Sequence, residues 1–205
     1  ILLPGYAGGI NWGGIAFDPA RQVAVVFSMD LPMEVALIPR DRLGETYDSG
    51  DYDGYEFARQ TGTPYGMRRN LLKAMIDDPC TAPPLARQYA NDMHEGEILW
   101  QTSFGSIQDV APAIVPNLEL GMPGMGGPIV TASGLVFIAA VQDDYIRAFD
   151  LRNGEELWEQ RLPAGGQATP MTYRDPGTGK QIVVIAAGGH PKMDTTLGDY
   201  LVAYA

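Results

Sequence analysis

Apolar and polar positions follow each other most regularly from Gly134 to Gln160 (GLVFIAAVQDDYIRAFDLRNGEELWEQ), where short runs and turns succeed one another without a helical period. Leu135–Ala140 is an apolar run of strand length, Tyr145–Asp150 alternates, Leu151–Gly154 reads as a tight turn, and Glu155–Leu162 is a further strand carrying Trp158. The same grammar predicts strands at Ile15–Phe17, Gln22–Met29 and Glu97–Phe104, with Pro128–Ala132 opening the central unit. Residues Pro39–Asn70 are polar, glycine-rich and acidic, and read as a long inserted loop with at most local structure; Met67–Ile76 reads as one short helix.

These units repeat. Ala90–Trp100 (ANDMHEGEILW) aligns with Ala148–Trp158 (AFDLRNGEELW), so that Ala, Asp, Gly, Leu and Trp fall in register 58 positions apart, Trp100 to Trp158. Asp closes a turn with its side chain, Gly supplies a positive φ, and Trp offers a ring to a neighbouring unit. Asp144–Phe149 (DYIRAF) likewise matches Asp199–Tyr204 (DYLVAY), and Val136–Ala140 (VFIAA) matches Val183–Ala187 (VVIAA). The spacing differs only through the loop Gly188–Gly198, which is long in one unit and short in the other. Several strands per repeat at this period predict an all-β chain of β-propeller blades, three to four of them, too few to close a ring.

Composition narrows the partners. The 205 residues carry 14 basic and 25 acidic side chains, a formal charge of −11 that would repel a phosphate backbone or an anionic lipid surface. Nucleic acid is therefore excluded as a partner. The 25 Gly and 16 Pro fit a turn-rich β chain. Cys80 is the single cysteine and forms no internal disulfide. No apolar run reaches the length of a membrane span, and the start at ILLPGYAGG reads as mid-domain sequence, which predicts a fragment.

Candidate chemistry lies in the turns. Gly8–Gly14 contains Asn11, an amide, and Trp12, a flat ring; it reads either as a plain inter-blade turn or as a place where backbone approaches a ligand. Gln142-Asp143 and His190 occupy the same place in consecutive repeats, after the VFIAA and VVIAA strands, and so project from one rim. Asp143 could be a turn cap and His190 a partner of its own loop, or both could face a ligand. Ser49–Gly54 approaches a calcium loop, but the closing position is Gln60 and the first ligand would be Ser49, so it reads as a solvated acidic loop. No GxGxxG, GxSxG or zinc-spaced His/Cys cluster is present.

The A-x-D-x-x-x-G-x-x-x-W motif at Ala90–Trp100 and Ala148–Trp158 resembles the tryptophan-docking motif of the eight-bladed quinoprotein dehydrogenases. Asn11–Gly14, Gly62–Tyr65, Pro79-Cys80 with Pro83-Pro84, Gly124–Pro128, Gln142-Asp143, Arg147–Asp150, Gly165–Met171 and Gly188–His190 with Gly198–Tyr200 resemble, in that order, the C-terminal part of the membrane-bound glucose/quinate/shikimate dehydrogenases. The resemblance covers nearly the whole chain.

It implies pyrroloquinoline quinone (PQQ) as cofactor with Ca²⁺ or Mg²⁺, a sugar or cyclic polyol as substrate, ubiquinone as electron acceptor, and the periplasmic face of the bacterial inner membrane, with membrane segments outside this chain. Asn11, Trp12, Asp143 and His190 would contact the cofactor, and His190 and Asp143 would be the catalytic residues here; no metal ligand is expected. The general base, an Asp, would precede Ile1, so this chain alone is expected to be inactive. Glucose oxidation to gluconolactone is the expected reaction; quinate or shikimate oxidation, or a non-catalytic propeller scaffold, are the alternatives. Two departures bear on this: Leu85-Ala86 stands where the family has Trp-Gly, and Pro191–Asp194 replaces a small-residue stretch, bringing Lys192, whose charge suits a carboxylate.

Overall fold

Short runs of β-branched and aromatic residues bounded by Gly, Pro and Asp leave the chain few options besides strands joined by tight turns. The computed structural model describes residues 1–73, 80–112 and 114–205. Its elements are β1 (Ile15–Asp18), β2 (Val23–Met29), β3 (Met33–Pro39), helix α1 (Leu43–Asp48), β4 (Glu56–Ala58), β5 (Tyr65–Leu71), β6 (Ala86–Asp92) and β7 (Glu97–Ser103). They continue as β8 (Ile129–Val130), β9 (Leu135–Ile138), β10 (Tyr145–Asp150), β11 (Glu156–Arg161), β12 (Met171–Arg174), β13 (Gln181–Ala187) and β14 (Tyr200–Tyr204). Antiparallel pairing sorts them into sheets β1-β2-β6-β7, β8-β9-β10-β11, β12-β13-β14 and β3-β5-β4. The predicted all-β architecture and the organising strands are thus present, and among the described residues the sheets of the larger unit form an open set.

The chain forms two compact units. One comprises Ile10–Met29 and Pro83–Ala205, the other Ile1–Gly9 and Asp30–Ala82. In the larger unit β1 lies beside β8, and the tryptophan-bearing β7 and β11 form the opposite edges of their sheets. The repeat motif explains this arrangement residue by residue. Ala90 faces Trp100 and Ala148 faces Trp158 across the sheet, and a register shift follows each Ala. Asp92 accepts from the N–H groups of His94 and Glu95 at 2.8 and 3.1 Å, and Asp150 from that of Arg152 at 2.8 Å. The Trp100 indole N–H then donates to the Leu151 carbonyl at 2.8 Å, tying one sheet to the turn of the next. Phe27, Phe104 and Phe149 continue the seam, with ring centroids 5.6 and 5.9 Å apart. Between the second and third sheets, Ala139, Ile146, Leu162, Val183 and Ile185 form a buried cluster, and the Trp158 ring meets Tyr204 edge-on at 5.1 Å. Each such buried Ile, Leu or Val side chain contributes about 1.5–3 kcal/mol.

The smaller unit corrects the reading of residues 39–70 as an inserted loop. Beyond α1 it holds β4 and β5, and β5 pairs along its whole length with β3. The strand escaped detection because its polar residues are stabilised by stacking and pairing instead of an apolar face. Arg68 lies 4.0 Å from the Tyr52 ring and 2.7 Å from Glu34, which also accepts from the Tyr55 hydroxyl; Arg69 lies over Tyr6 at 3.8 Å. The Tyr55 hydroxyl and the Arg68 guanidinium hold the Glu34 carboxyl below its ordinary range. The helix expected at Met67–Ile76 is likewise replaced by β5 as far as Leu71, and its last residues, 74–76, lie outside the described set.

Gly154 is required twice, for its φ of +72° and because a Cβ there would lie 2.6 Å from the Trp100 ring. Gly154→Ala should therefore lower stability by about 2–4 kcal/mol, combining a left-handed backbone penalty with overpacking. Urea unfolding reads this as a lower midpoint at unchanged slope; an unchanged midpoint would show that the tryptophan seam tolerates the extra carbon. The Arg152 side chain and backbone N–H hold the Asp150 carboxyl at about 2. Because the folded value lies below the unfolded one, this contribution is complete above the ordinary carboxylate range and is lost as pH falls towards 2. Asp150→Asn should flatten the stability profile between about pH 4 and 2, and parallel wild-type and variant profiles would contradict it.

Candidate functional site

The glycine-rich turns between the sheets of the larger unit pack against one another because they lack side chains. A Cβ on Gly13 would fall 2.2 Å from the Gly126–Gly127 peptide, so the Asn11–Gly14 turn lies directly on the Gly124–Gly127 turn. Met125 N–H reaches the Ala140 carbonyl at 2.9 Å and Gln167 Oε1 at 3.0 Å, and Gln167 Nε2 returns to the Val141 carbonyl at 2.6 Å. Gly165 in turn approaches Thr195 and Gly189, beside His190. Contacts of backbone with backbone and with the Gln167 and Thr195 side chains thus lead from the Asn11 turn to that of His190. Ala140, fully buried and without glycine's freedom, adopts a φ of +66° at the start of the Gln142 loop, a strained conformation of the kind that collects at functional sites.

Within this rim, the Asn11 side chain accepts from Trp12 N–H at 2.9 Å, and Trp12 is 82% exposed. The next three candidate-bearing residues each hold a different neighbour. Gln142 Nε2 donates to the Met193 carbonyl at 2.8 Å, beyond His190 in the next repeat. Asp143 is buried; it receives both Arg147 Nη atoms, at 2.9 and 2.8 Å, and Ser106 N–H at 2.8 Å. Asp144 accepts from the Thr196 hydroxyl at 2.8 Å, while its own N–H donates to Asp109 at 3.0 Å and its Oδ1 is buried without a partner. Burial pushes the Asp144 carboxyl up, against the pull of Thr196 and with a further push from Asp109. Burial alone would pull Arg147 down, yet Asp143 holds it above its ordinary value.

His190 begins a 3-10 turn, Pro191–Met193. Its N–H donates to Thr195 Oγ1 at 2.7 Å, its carbonyl accepts from Met193 N–H at 3.0 Å, and its Nδ1 accepts from Lys192 N–H at 3.2 Å. The structure therefore brings the Gln142–Asp144 and His190 loops together, as the repeat predicts, through the Gln142–Met193 and Asp144–Thr196 bonds. The Asp143 carboxylate faces Arg147 and a backbone amide. Behind that pair is a cavity of about 300 Å³ lined by Phe104, Glu119, Arg147, Phe149 and Glu156, where burial again raises the Glu156 carboxyl. Sequence reading missed Thr196, Asp109 and Arg161, which holds Asp109 at 2.5 Å, because these contacts link residues 35 to 52 positions apart. Among the described residues, no cluster of three or more His, Cys, Asp or Glu could hold a metal.

Successive four-stranded antiparallel sheets, docked through tryptophan and carrying their polar loops on one rim, define a segment of a β-propeller. Residues 1–183 match the model of the family described as "Glucose/ethanol/alcohol dehydrogenase, beta-propeller domain", and the chain belongs to that PQQ family. It is 43% identical over its whole length to quinoprotein glucose dehydrogenase A of Acinetobacter calcoaceticus, and 42% identical to the quinate/shikimate dehydrogenase (quinone) of Acinetobacter baylyi. In each case it spans 26% of the relative's length. A europium-containing methanol dehydrogenase superposes with a TM-score of 0.62 over 91% of this chain and 26% of its own, at 22% identity, a likeness of fold.

Because both partners of the Asp143–Arg147 pair are buried, removing one strands the other's charge. Arg147→Met should cost about 3–5 kcal/mol, and the double variant Asp143→Asn/Arg147→Met should recover part of that loss. Chemical denaturation of the single and double variants measures it; additive losses would mean that the pair is not coupled.

Proposed function

We propose that this chain is the C-terminal portion of a single propeller domain, with residues 39–70 part of an insertion, in a quinoprotein dehydrogenase that oxidises a sugar or cyclic polyol. The carrying observation is the rim itself, in which the turns bearing Asn11-Trp12, Gln142–Asp144 and His190 are stitched into one surface. A planar quinone with carboxylate and carbonyl oxygens needs a flat apolar face and hydrogen-bond donors. The open Trp12 ring offers the first, and Asn11 and His190 supply side-chain nitrogens for the second, so these residues fit PQQ. When bound, the quinone supplies the two-electron acceptor for the substrate C–H bond, and a Ca²⁺ or Mg²⁺ ion beside it supplies Lewis acidity.

In this reading, Trp12 provides the stacking face and Asn11 orients the cofactor edge. Asp143 serves the pocket through the fixed Arg147 pair, and His190 contacts the substrate or cofactor. The general base belongs to a part of the protein outside this chain. Electrons pass on to ubiquinone, and the site faces the periplasm at the bacterial inner membrane; no helix among the described residues is long and apolar enough to cross a membrane. Glucose, oxidised to gluconolactone, is the substrate favoured by the acidic charge of −11. Quinate or shikimate is the second reading, favoured by Lys192 on the turn that His190 opens.

The test is titration of the full-length protein with PQQ and Ca²⁺ or Mg²⁺, followed by dye reduction with glucose, quinate and shikimate. One substrate should turn over, and His190→Ala should lower kcat/KM about 10–100-fold, the scale of one hydrogen bond to a charged or developing oxygen. Absence of quinone binding and of turnover with all three would sink the proposal and leave a propeller scaffold.

A further inference from the structure

We infer that His190 serves this site as a neutral hydrogen-bond donor through Nε2, its tautomer set by the backbone amide of Lys192, and does not act as a proton acceptor. The inference rests on the functional reading above for the identity of what His190 contacts, but its physical basis is local. A backbone N–H can only donate, so the 3.2 Å bond from Lys192 to Nδ1 requires a lone pair on that nitrogen. A neutral imidazole with a bare Nδ1 carries its proton on Nε2. That nitrogen then has no lone pair with which to accept a substrate proton.

The turn makes this bond hard to avoid. Pro191 has no N–H, so the amide of Lys192 is the first donor of the 3-10 turn, and the imidazole satisfies it much as Ser or Asp does at a helix N-cap. The ring's origin is held as well, by His190 N–H on Thr195 and by Met193 N–H on the His190 carbonyl. Gln142 restrains the far end of the turn through the Met193 carbonyl. Nδ1 is thus committed to the fold, and all the ligand chemistry of the side chain resides in one N–H. Its complement is an acceptor oxygen: a substrate hydroxyl oxygen, or a carbonyl or carboxylate oxygen of the quinone. The hydroxyl proton released during oxidation must then go to a base other than His190.

Two measurements on the full-length protein test this. Long-range ¹H–¹⁵N correlation spectra, with the signal assigned by its loss in His190→Asn, should show protonated Nε2 and bare Nδ1; a proton on Nδ1 overturns the inference whatever the activity. His190→Asn keeps an acceptor for Lys192 N–H but has no distal donor. Its thermal midpoint should stay within about 2 °C, while the affinity for one ligand falls about tenfold. His190→Gln, whose amide NH₂ reaches further, should recover part of that affinity. A raised substrate KM assigns the oxygen to the substrate, and a raised Kd for PQQ assigns it to the cofactor; either supports the donor role. Unchanged KM and Kd in His190→Asn overturn it. Failure of the protein to bind PQQ at all would instead remove the functional reading, with the nitrogen spectrum still deciding the tautomer.

Discussion

The contact on which the larger unit depends is the seating of the Trp100 indole on the next sheet, with its N–H on the Leu151 carbonyl and its face against Gly154. The turn it meets is itself the product of the repeat, closed by Asp150 and released into positive φ at Gly154. Each repeat therefore builds both the plug and the socket, and a sheet that lacks a neighbour leaves one of them unused. Such a fold gains stability chiefly through nearest-neighbour interfaces, in the manner of repeat proteins generally. It also explains why the polar loops can vary in length, as between the β9–β10 and β13–β14 connections, without disturbing the blade behind them.

The rim inherits its precision from that seam. Gln142, Asp143 and Asp144 leave β9 in succession and hold three different partners: the His190 turn, the Arg147–Ser106 anchor, and Thr196. Three consecutive side chains cannot share one face, so each reaches a separate neighbour, and together they bind the loops of adjacent repeats into one surface. The strained Ala140 backbone two residues before Gln142 is consistent with a loop whose position is imposed by those partners and not by its own preference.

Much of this could be read from the residues. The strands of the larger unit, the role of Asp and Gly in the turns, and the docking of Trp100 all follow from apolar pattern and from the repeat, because they depend on local chemistry recurring in register. The equivalence of the Gln142 and His190 loops followed from the same alignment. What could not be read depended on pairs distant in the chain. β5 passes for a polar loop because Arg68 and Arg69 are compensated by Tyr52, Tyr6, Glu34 and Glu56, and an arginine stacked on tyrosine looks, in sequence, like any solvated arginine. The Thr196 and Asp109 partners of Asp144 were hidden for the same reason. A resemblance to known enzymes named Asp143 for chemistry, but only coordinates reveal that both its oxygens are engaged.

The neighbouring acids show how environment divides roles that sequence makes look equivalent. Asp143 meets a guanidinium with matched geometry on both its oxygens, whereas Asp144 has one hydroxyl partner and a bare buried oxygen. Burial makes its carboxyl hold a proton more tightly than in the unfolded chain, so its contribution to stability is complete at low pH and is lost as pH rises through the folded value. A ligand or water donating to Oδ1 would reverse that preference by stabilising the anion. The link from Asp109 through Asp144 to Thr196 ends one residue beyond Thr195, which holds the backbone of His190.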